Sequence, residues 1–263
     1  MSTARYTLRQ DIGYQMGMGD RAFYMGTPDG TYAVTTFGCA GLALEEDDFF
    51  IDWFGRFYSG THKDTDFEVT DFAKSNGVVT FSPALATATV AGDLFELHRD
   101  YTPAHINTLI NLAIQQVETA ALEDKVDDTL LTVASTFVYD LPTGFYTIEE
   151  VYQEESTANL YKPSGLLDPK GWQILRAATK RLWIDQNIIS LTAARNLRLV
   201  GQAKPSVFSA DAGTTNVNPN YIVQQVKAWL HQSRGEKEAM AIAQAIADRE
   251  RRRLYVRPRG KLV

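Results

Sequence analysis

The chain has 263 residues, 44% of them hydrophobic, with 26 basic and 32 acidic side chains and a formal net charge of −6. That is apolar enough to bury one large or two modest cores, and it excludes disorder over most of the length. A pI near 5.3 argues against a surface that binds nucleic acid everywhere, and the single cysteine, Cys39, excludes an internal disulfide or a thiolate zinc cluster.

Residues 1–100 read as β-rich. Turn signals at Pro28-Asp29-Gly30, Ser59-Gly60, Ser75-Asn76-Gly77 and Ala91-Gly92-Asp93 separate short runs over 32–36, 49–54, 67–69, 78–81 and 94–98. Asn76-Gly77 suits a hairpin turn between strands over 66–72 and 77–83, and a small sandwich or barrel is expected. Thr102-Pro103 then opens a helix, with Thr102 as N-cap and Pro103 in the first turn. Ile106, Leu109, Ile110, Ala113, Ile114 and Val117 recur at helical spacing on one face. The polar stretch 118–128 reads as a linker or helix end.

Four further strands are predicted over 130–139, 145–152, 181–191 and 196–201. Between them, 154–170 is rich in Pro, Gly and Ser and reads as a long loop of the kind that works or meets a partner. Pro219 opens a helix with a stripe of Tyr221, Ile222, Val226, Trp229 and Leu230. Gly235 punctuates it, and a last helix over 236–253 runs through Met240, Ile242, Ala243 and Ile246. The expected fold is α+β and β-rich, in three stretches: a β-rich domain over 1–100, a helix, β segment and C-terminal helices over 101–248, and a basic C-terminal arm over 249–263. No apolar run reaches the roughly 20 residues that span a bilayer. Residues 1–10 hold no apolar stretch of a signal peptide, so no membrane partner and no secretion by that route are expected.

Charge is segregated along the chain. Seven of the 26 basic residues but one of the 32 acidic ones fall in 249–263, which leaves 19 basic against 31 acidic before Arg249 and a net −12 there. An acidic body with a cationic tip suits contact with something negative, nucleic acid or an acidic protein face. Leu254, Tyr255 and Val256 interrupt the basic run, and Pro258 and Gly260 break any helix. The tip reads as an extended arm that docks, with Arg249, Arg251, Arg252, Arg253, Tyr255, Arg257, Arg259 and Lys261 as candidate partner-docking residues. The plain alternative is a solvated, frayed end.

No catalytic, cofactor-binding or metal site is assigned. His62, His98, His105 and His231 fall in no zinc spacing, and structural hydrogen bonding is their expected role. Gly17-Met18-Gly19 lacks the third glycine and the preceding strand of a dinucleotide fingerprint. Glu45-Glu46-Asp47-Asp48, Glu149-Glu150 and Glu154-Glu155 read as solvated faces or docking surfaces for a basic partner, because adjacent acids on a strand point to opposite faces. Asp64, Asp66 and Asp71 lack the calcium-loop glycine and glutamate, Cys39 has no basic neighbour, and Trp53, Trp172, Trp183 and Trp229 sit in patterned segments as core or interface residues.

Several stretches together resemble the head-to-tail connector (neck or adaptor) structural proteins of tailed bacteriophages. They are Leu8-Arg9-Gln10-Asp11-Ile12-Gly13, Val69-Thr70-Asp71-Phe72 with Gly77-Val78-Val79-Thr80-Phe81-Ser82-Pro83-Ala84, and Ala91-Gly92-Asp93-Leu94-Phe95-Glu96-Leu97 leading to Ile110-Asn111-Leu112-Ala113. Tyr139-Asp140-Leu141-Pro142, Ile148-Glu149-Glu150-Val151 and Leu197-Arg198-Leu199-Val200-Gly201 follow. The resemblance implies a non-enzymatic virion protein without cofactors, assembled in the host cytoplasm and placed in the neck. Its implied partners are portal and tail or neck proteins, copies of itself in a ring of about twelve if it matches portal symmetry, and the packaged DNA passing through. A collar or tail-fibre anchor is the nearest alternative; a carbohydrate-binding or carbohydrate-hydrolysing protein using 45–54 is another.

Overall fold

The computed structural model describes residues 2–17, 22–156, 159–176 and 178–263. Met1, Met18 and Gly19 of the glycine motif, and Thr157 and Ala158 of the long loop, lie outside the described residues. In chain order the elements are β1 (Thr3–Ala4), α1 (Arg5–Gly17), β2 (Phe23–Gly26), β3 (Thr36–Gly38), β4 (Phe54–Phe57), β5 (Thr65–Ala73), β6 (Val78–Ser82), β7 (Phe95–His98) and α2 (Pro103–Gln116). Next come β8 (Glu123–Leu131), β9 (Val138–Asp140), β10 (Thr147–Gln153), β11 (Trp172–Arg176), β12 (Lys180–Ile184) and β13 (Asn196–Ala203). The chain ends through β14 (Thr214–Thr215), α3 (Pro219–Ser233), α4 (Lys237–Arg253) and β15 (Lys261–Leu262). The fold is α+β and β-rich. Contacts group it into two compact units, 1–116 with 206–253 and 117–205 with 254–263. This grouping differs from the expected division at 100 and 248, because the chain after 206 rejoins the first unit and its last ten residues join the second.

In the first unit a six-stranded antiparallel sheet runs β2-β7-β4-β5-β6-β3. Four strand spacings separate β7 from β3, roughly 19 Å on a flat sheet, yet the rings of Phe37 and Phe95 have centroids 4.4 Å apart. The sheet therefore curls into a half-barrel around Phe37, Phe57, Phe67, Phe72, Phe81 and Phe95. Across the open side, Asp29 N donates to Gly38 O at 2.9 Å, tying the segment after β2 to β3. The turn between β5 and β6 places Gly77 at φ 61°, where a Cβ would lie 2.4 Å from the Cys39 carbonyl oxygen. Two expected strands fail here. Residues 49–52 form a turn, with Asp48 and Asp52 at φ 63° and 65°, and pairing begins only at Phe54; in 32–36 only Thr36 belongs to a strand.

The helices of this unit pack on one another. The predicted stripe of α2 buries Ile106, Ile110, Ala113 and Ile114, and that of α3 buries Tyr221, Ile222, Val226 and Leu230. On α4 the buried positions are Ala243, Ala247 and Glu250, so Ile242 is not on the inward stripe and is 65% exposed. Helix α1 is absent from the sequence-based expectation. Its inward stripe is Arg5, Leu8, Arg9 and Ile12, all buried at i, i+3, i+4 and i+7.

In the second unit two antiparallel sheets, β15-β10-β13-β8 and β11-β12-β9, share one core of Ile148, Val151, Trp172, Leu182, Ile184, Leu197, Leu199 and neighbours. From Glu123 the stretch predicted as a linker becomes β8, an edge strand in which only Leu130 is buried. The strand expected over 130–139 stops at Leu131 and resumes as β9, and the one over 181–191 ends at Ile184. β11 was not predicted.

Candidate functional site

The cationic residues expected to dock divide into two groups. The first is helical, in line with the last helix expected over 236–253, since α4 continues to Arg253. Cations belong at this end of a helix, where the last carbonyls carry partial negative charge. Beneath them Glu250 is buried, accepting from Arg249 Nε at 3.2 Å and from Arg253 Nη1 at 3.1 Å. Its other oxygen accepts from Asn218 Nδ2 at 3.3 Å, and Asn218 also caps the start of α3 through Asn220 N. One buried carboxylate thus orients two guanidinium groups that remain 61% and 66% exposed. Arg251 and Arg252 are exposed and make no ion pair among the described residues.

The second group is held against its own chain. Val256 N donates to Ala120 O at 2.7 Å, Val263 N to Tyr146 O at 2.9 Å, and Arg259 N to Gln202 Oε1 at 2.8 Å. The Arg259 guanidinium pairs with Asp124 and lies 3.4 Å from Glu149 Oε2. β15 extends the sheet beside β10, with Ile148 opposite Lys261. Lys261 Nζ donates to Pro169 O at 2.5 Å and to Trp172 O, and it lies 3.8 Å over the Trp172 ring. Burial pushes its pKa down, and Asp168 partly opposes this. Only Tyr255 and Arg257, both exposed, face outward without such ties among the described residues. The residues after Arg253 are extended, as expected, but lie along β10: an edge strand offers backbone donors and acceptors, and the last residues of this chain fill them.

The acidic runs have structural duties. Glu45 is buried against Tyr24, Asp47 Oδ1 accepts from Lys74 N at 2.9 Å, and Glu46 pairs with Lys74 Nζ at 3.0 Å. Glu154 is buried and accepts from Asn159 N and Asn196 N at 2.6 and 3.0 Å. Among the described residues no group of His, Cys, Asp and Glu is placed to hold a metal ion. His62 is buried near Ala88 O, His105 stacks on Tyr101, and His231 contacts Glu236.

Sequence reasoning missed a buried ion network in the first unit. Asp211, 1% exposed, accepts from Arg5 Nε at 2.8 Å, from Arg9 Nη1 and Nη2 at 2.8 and 3.0 Å, and from Arg56 Nε at 2.6 Å. Arg9 also donates to Glu96 and, at 2.7 Å, to Asn107 Oδ1; Arg56 reaches Asp66 and Asp64 at 2.6 and 2.9 Å. Burial alone would raise the Asp211 pKa, but the Arg9 and Arg56 guanidinium groups overcome it and hold the carboxyl down at about 2. Glu96, wholly buried, is likewise lowered, its desolvation outweighed by Arg9 and His98. The network joins α1, α2, the half-barrel and the loop before β14. Its signal in the sequence was the spacing of Arg5 and Arg9 with Leu8 and Ile12. The guanidinium groups of Arg9 and Arg56 are each held between carboxylates, as buried charges must be, while Glu96 Oε2 is buried without a hydrogen-bond partner among the described residues.

The family model for the SU10 adaptor protein matches residues 84–260, two thirds of the chain. This chain belongs to the SU10 adaptor protein family. Membership makes it a bacteriophage structural protein, a virion component of a generally non-enzymatic kind that works among other capsid and tail proteins. The part shared with the SU10 adaptor model runs from β7 through α2, β8–β14, α3 and α4 to Gly260, so it includes the cationic end of α4; α1 and β2–β6 precede it. Among curated proteins none matches the chain. No described helix is long and apolar enough to cross a membrane.

Proposed function

We propose that this adaptor is a ring subunit of the phage neck joining the capsid portal to the tail, with the cationic residues of α4 and the following turn as its docking surface. The observation that carries this reading is the segregation of charge: residues 249–263 hold seven bases and one acid, on a chain otherwise at −12. The outward members of that set are Arg249, Arg251, Arg252, Arg253, Tyr255 and Arg257. Arg259 and Lys261 serve it indirectly, by fixing the end of the chain to β10. An acidic body keeps such a subunit soluble and repels DNA phosphates from its wall, while the cationic face meets an acidic neighbour in the next ring.

The test is co-assembly with the portal. Replacing Arg251 and Arg257 by Glu leaves the known ion pairs of the fold untouched and is expected to abolish capture by purified portal rings while the melting temperature stays within a few degrees. Unchanged capture sinks the docking role of these residues. A truncation after Arg253 separates the contributions, because it removes Tyr255 and Arg257 and keeps the helical arginines.

A further inference from the structure

Among the described residues nothing covers the outward face of α4. Ile242, Ala245, Arg249 and Arg252 recur at i, i+3, i+7 and i+10, opposite the buried Ala243, Ala247 and Glu250, with Ala241 alongside. The face is thus apolar in its first half and cationic in its second, with Glu238 and Asp248 at its margins. Those two acids and the apolar half argue against a phosphate backbone as its occupant, which would want cations throughout.

Elsewhere in the same unit one leucine stands out of the surface. Leu44 is 84% exposed, the highest value for any large hydrophobic residue described. It is not on a loose tip: Leu42 and Glu45 on either side are buried, Glu45 N donates to Leu42 O at 3.0 Å, Asp48 N to Phe72 O at 3.2 Å and Asp52 N to Val69 O at 3.0 Å. The backbone therefore holds Leu44 outward. Glu46, Asp47, Asp48 and Asp52 surround it in the chain, all exposed, and Ile51 adds a second apolar group; Lys74 pairs with Glu46 as the nearby base. This surface is an apolar knob with an acidic border, the complement in both hydropathy and charge of the α4 face.

We propose that the outward face of α4 in one copy of this chain receives the Leu44 loop, residues 44–52, of a second copy. Leu44 and Ile51 meet Ile242, Ala241 and Ala245, and the acids meet Arg249 and Arg252, which leaves Arg251, Arg253, Tyr255 and Arg257, all exposed, for the next ring. The two surfaces are different patches, so the contact is head-to-tail and repeats from copy to copy, closing into a ring when the rotation allows. The inference rests on the ring reading above and names the contact between neighbours in it. Glu250 gains a role as a positioning residue, holding Arg249 toward the neighbour.

The full-length protein carrying Cys39→Ser, Leu44→Cys and Ile242→Cys tests this by oxidative cross-linking of the assembled particle and of the concentrated protein. A reducible ladder of dimers, trimers and higher species is expected, absent when either new cysteine is omitted. Separately, Glu46→Lys and Arg252→Glu are each expected to weaken self-association roughly tenfold, and an equimolar mixture of the two to restore pairing in part. Both positions are exposed, and unchanged melting curves verify the fold. Rings that form without the ladder and ignore both charge reversals overturn this contact and leave the ring reading standing. A wild-type chain that stays monomeric alone and with portal overturns both.

Discussion

Arg9 is wholly buried, and its guanidinium meets two carboxylates and an amide. Such a charge is tolerable only while every partner remains, since breaking a buried pair costs about 3–5 kcal/mol. Asp211→Asn is therefore expected to lower stability by about 3 kcal/mol in a denaturant titration, with Arg5, Arg9 and Arg56 left short of an acceptor. The same carboxylate sets an acid limit. Its folded pKa of about 2 lies below the usual 3.8, so the stability it confers is complete above pH 4 and is lost as pH falls from 4 through 2. Melting temperature should be level from neutrality to pH 4 and fall below it, and Asp211→Asn should flatten that fall. The one trace of this in the sequence was the helical spacing of Arg5, Leu8, Arg9 and Ile12, which passes unnoticed because arginine in a sequence reads as surface. Only the fold reveals that Arg5 and Arg9 line up with Leu8 and Ile12 on the inward side of α1.

Among elements, legibility followed whether burial was apolar. α2 and α3 announced themselves through aliphatic stripes and proline starts, and both occur where expected. α1 hid because half its buried stripe is cationic, and β8 hid because an edge strand rich in acids, with one buried side chain, has the composition of a linker. The docking set was legible as a charge run and its helical part up to Arg253 was expected, but the return of the following residues onto β10 was not. That return depends on Gly260, at φ 78°, where a Cβ would lie 2.1 Å from the Ile148 carbonyl oxygen. Gly260→Ala should release β15, seen as faster amide exchange at Ile148 and faster proteolysis after Arg253, with the rest of the chain unmoved. Protection equal to wild type would show that the terminal strand does not need the glycine.

For the whole molecule, the sequence already carried the class: a β-rich α+β fold, an acidic body, a cationic end and a resemblance to phage connectors that the SU10 adaptor match narrows to a family. It carried no partner geometry, because ring contacts depend on which side chains the fold leaves outward, Leu44 and Ile242 among them. Association through the cationic face should weaken as salt rises, since charges on exposed side chains are screened within about 8–10 Å at physiological ionic strength. Binding to portal rings unchanged between low and high salt would argue for an apolar interface instead. The central claim, that this adaptor forms a neck ring, is met most directly by cryo-electron microscopy of the phage particle, or of the purified protein mixed with its portal. A closed ring of this chain beneath the portal is the expected density; isolated monomers, or trimers at the periphery of the tail, would contradict it.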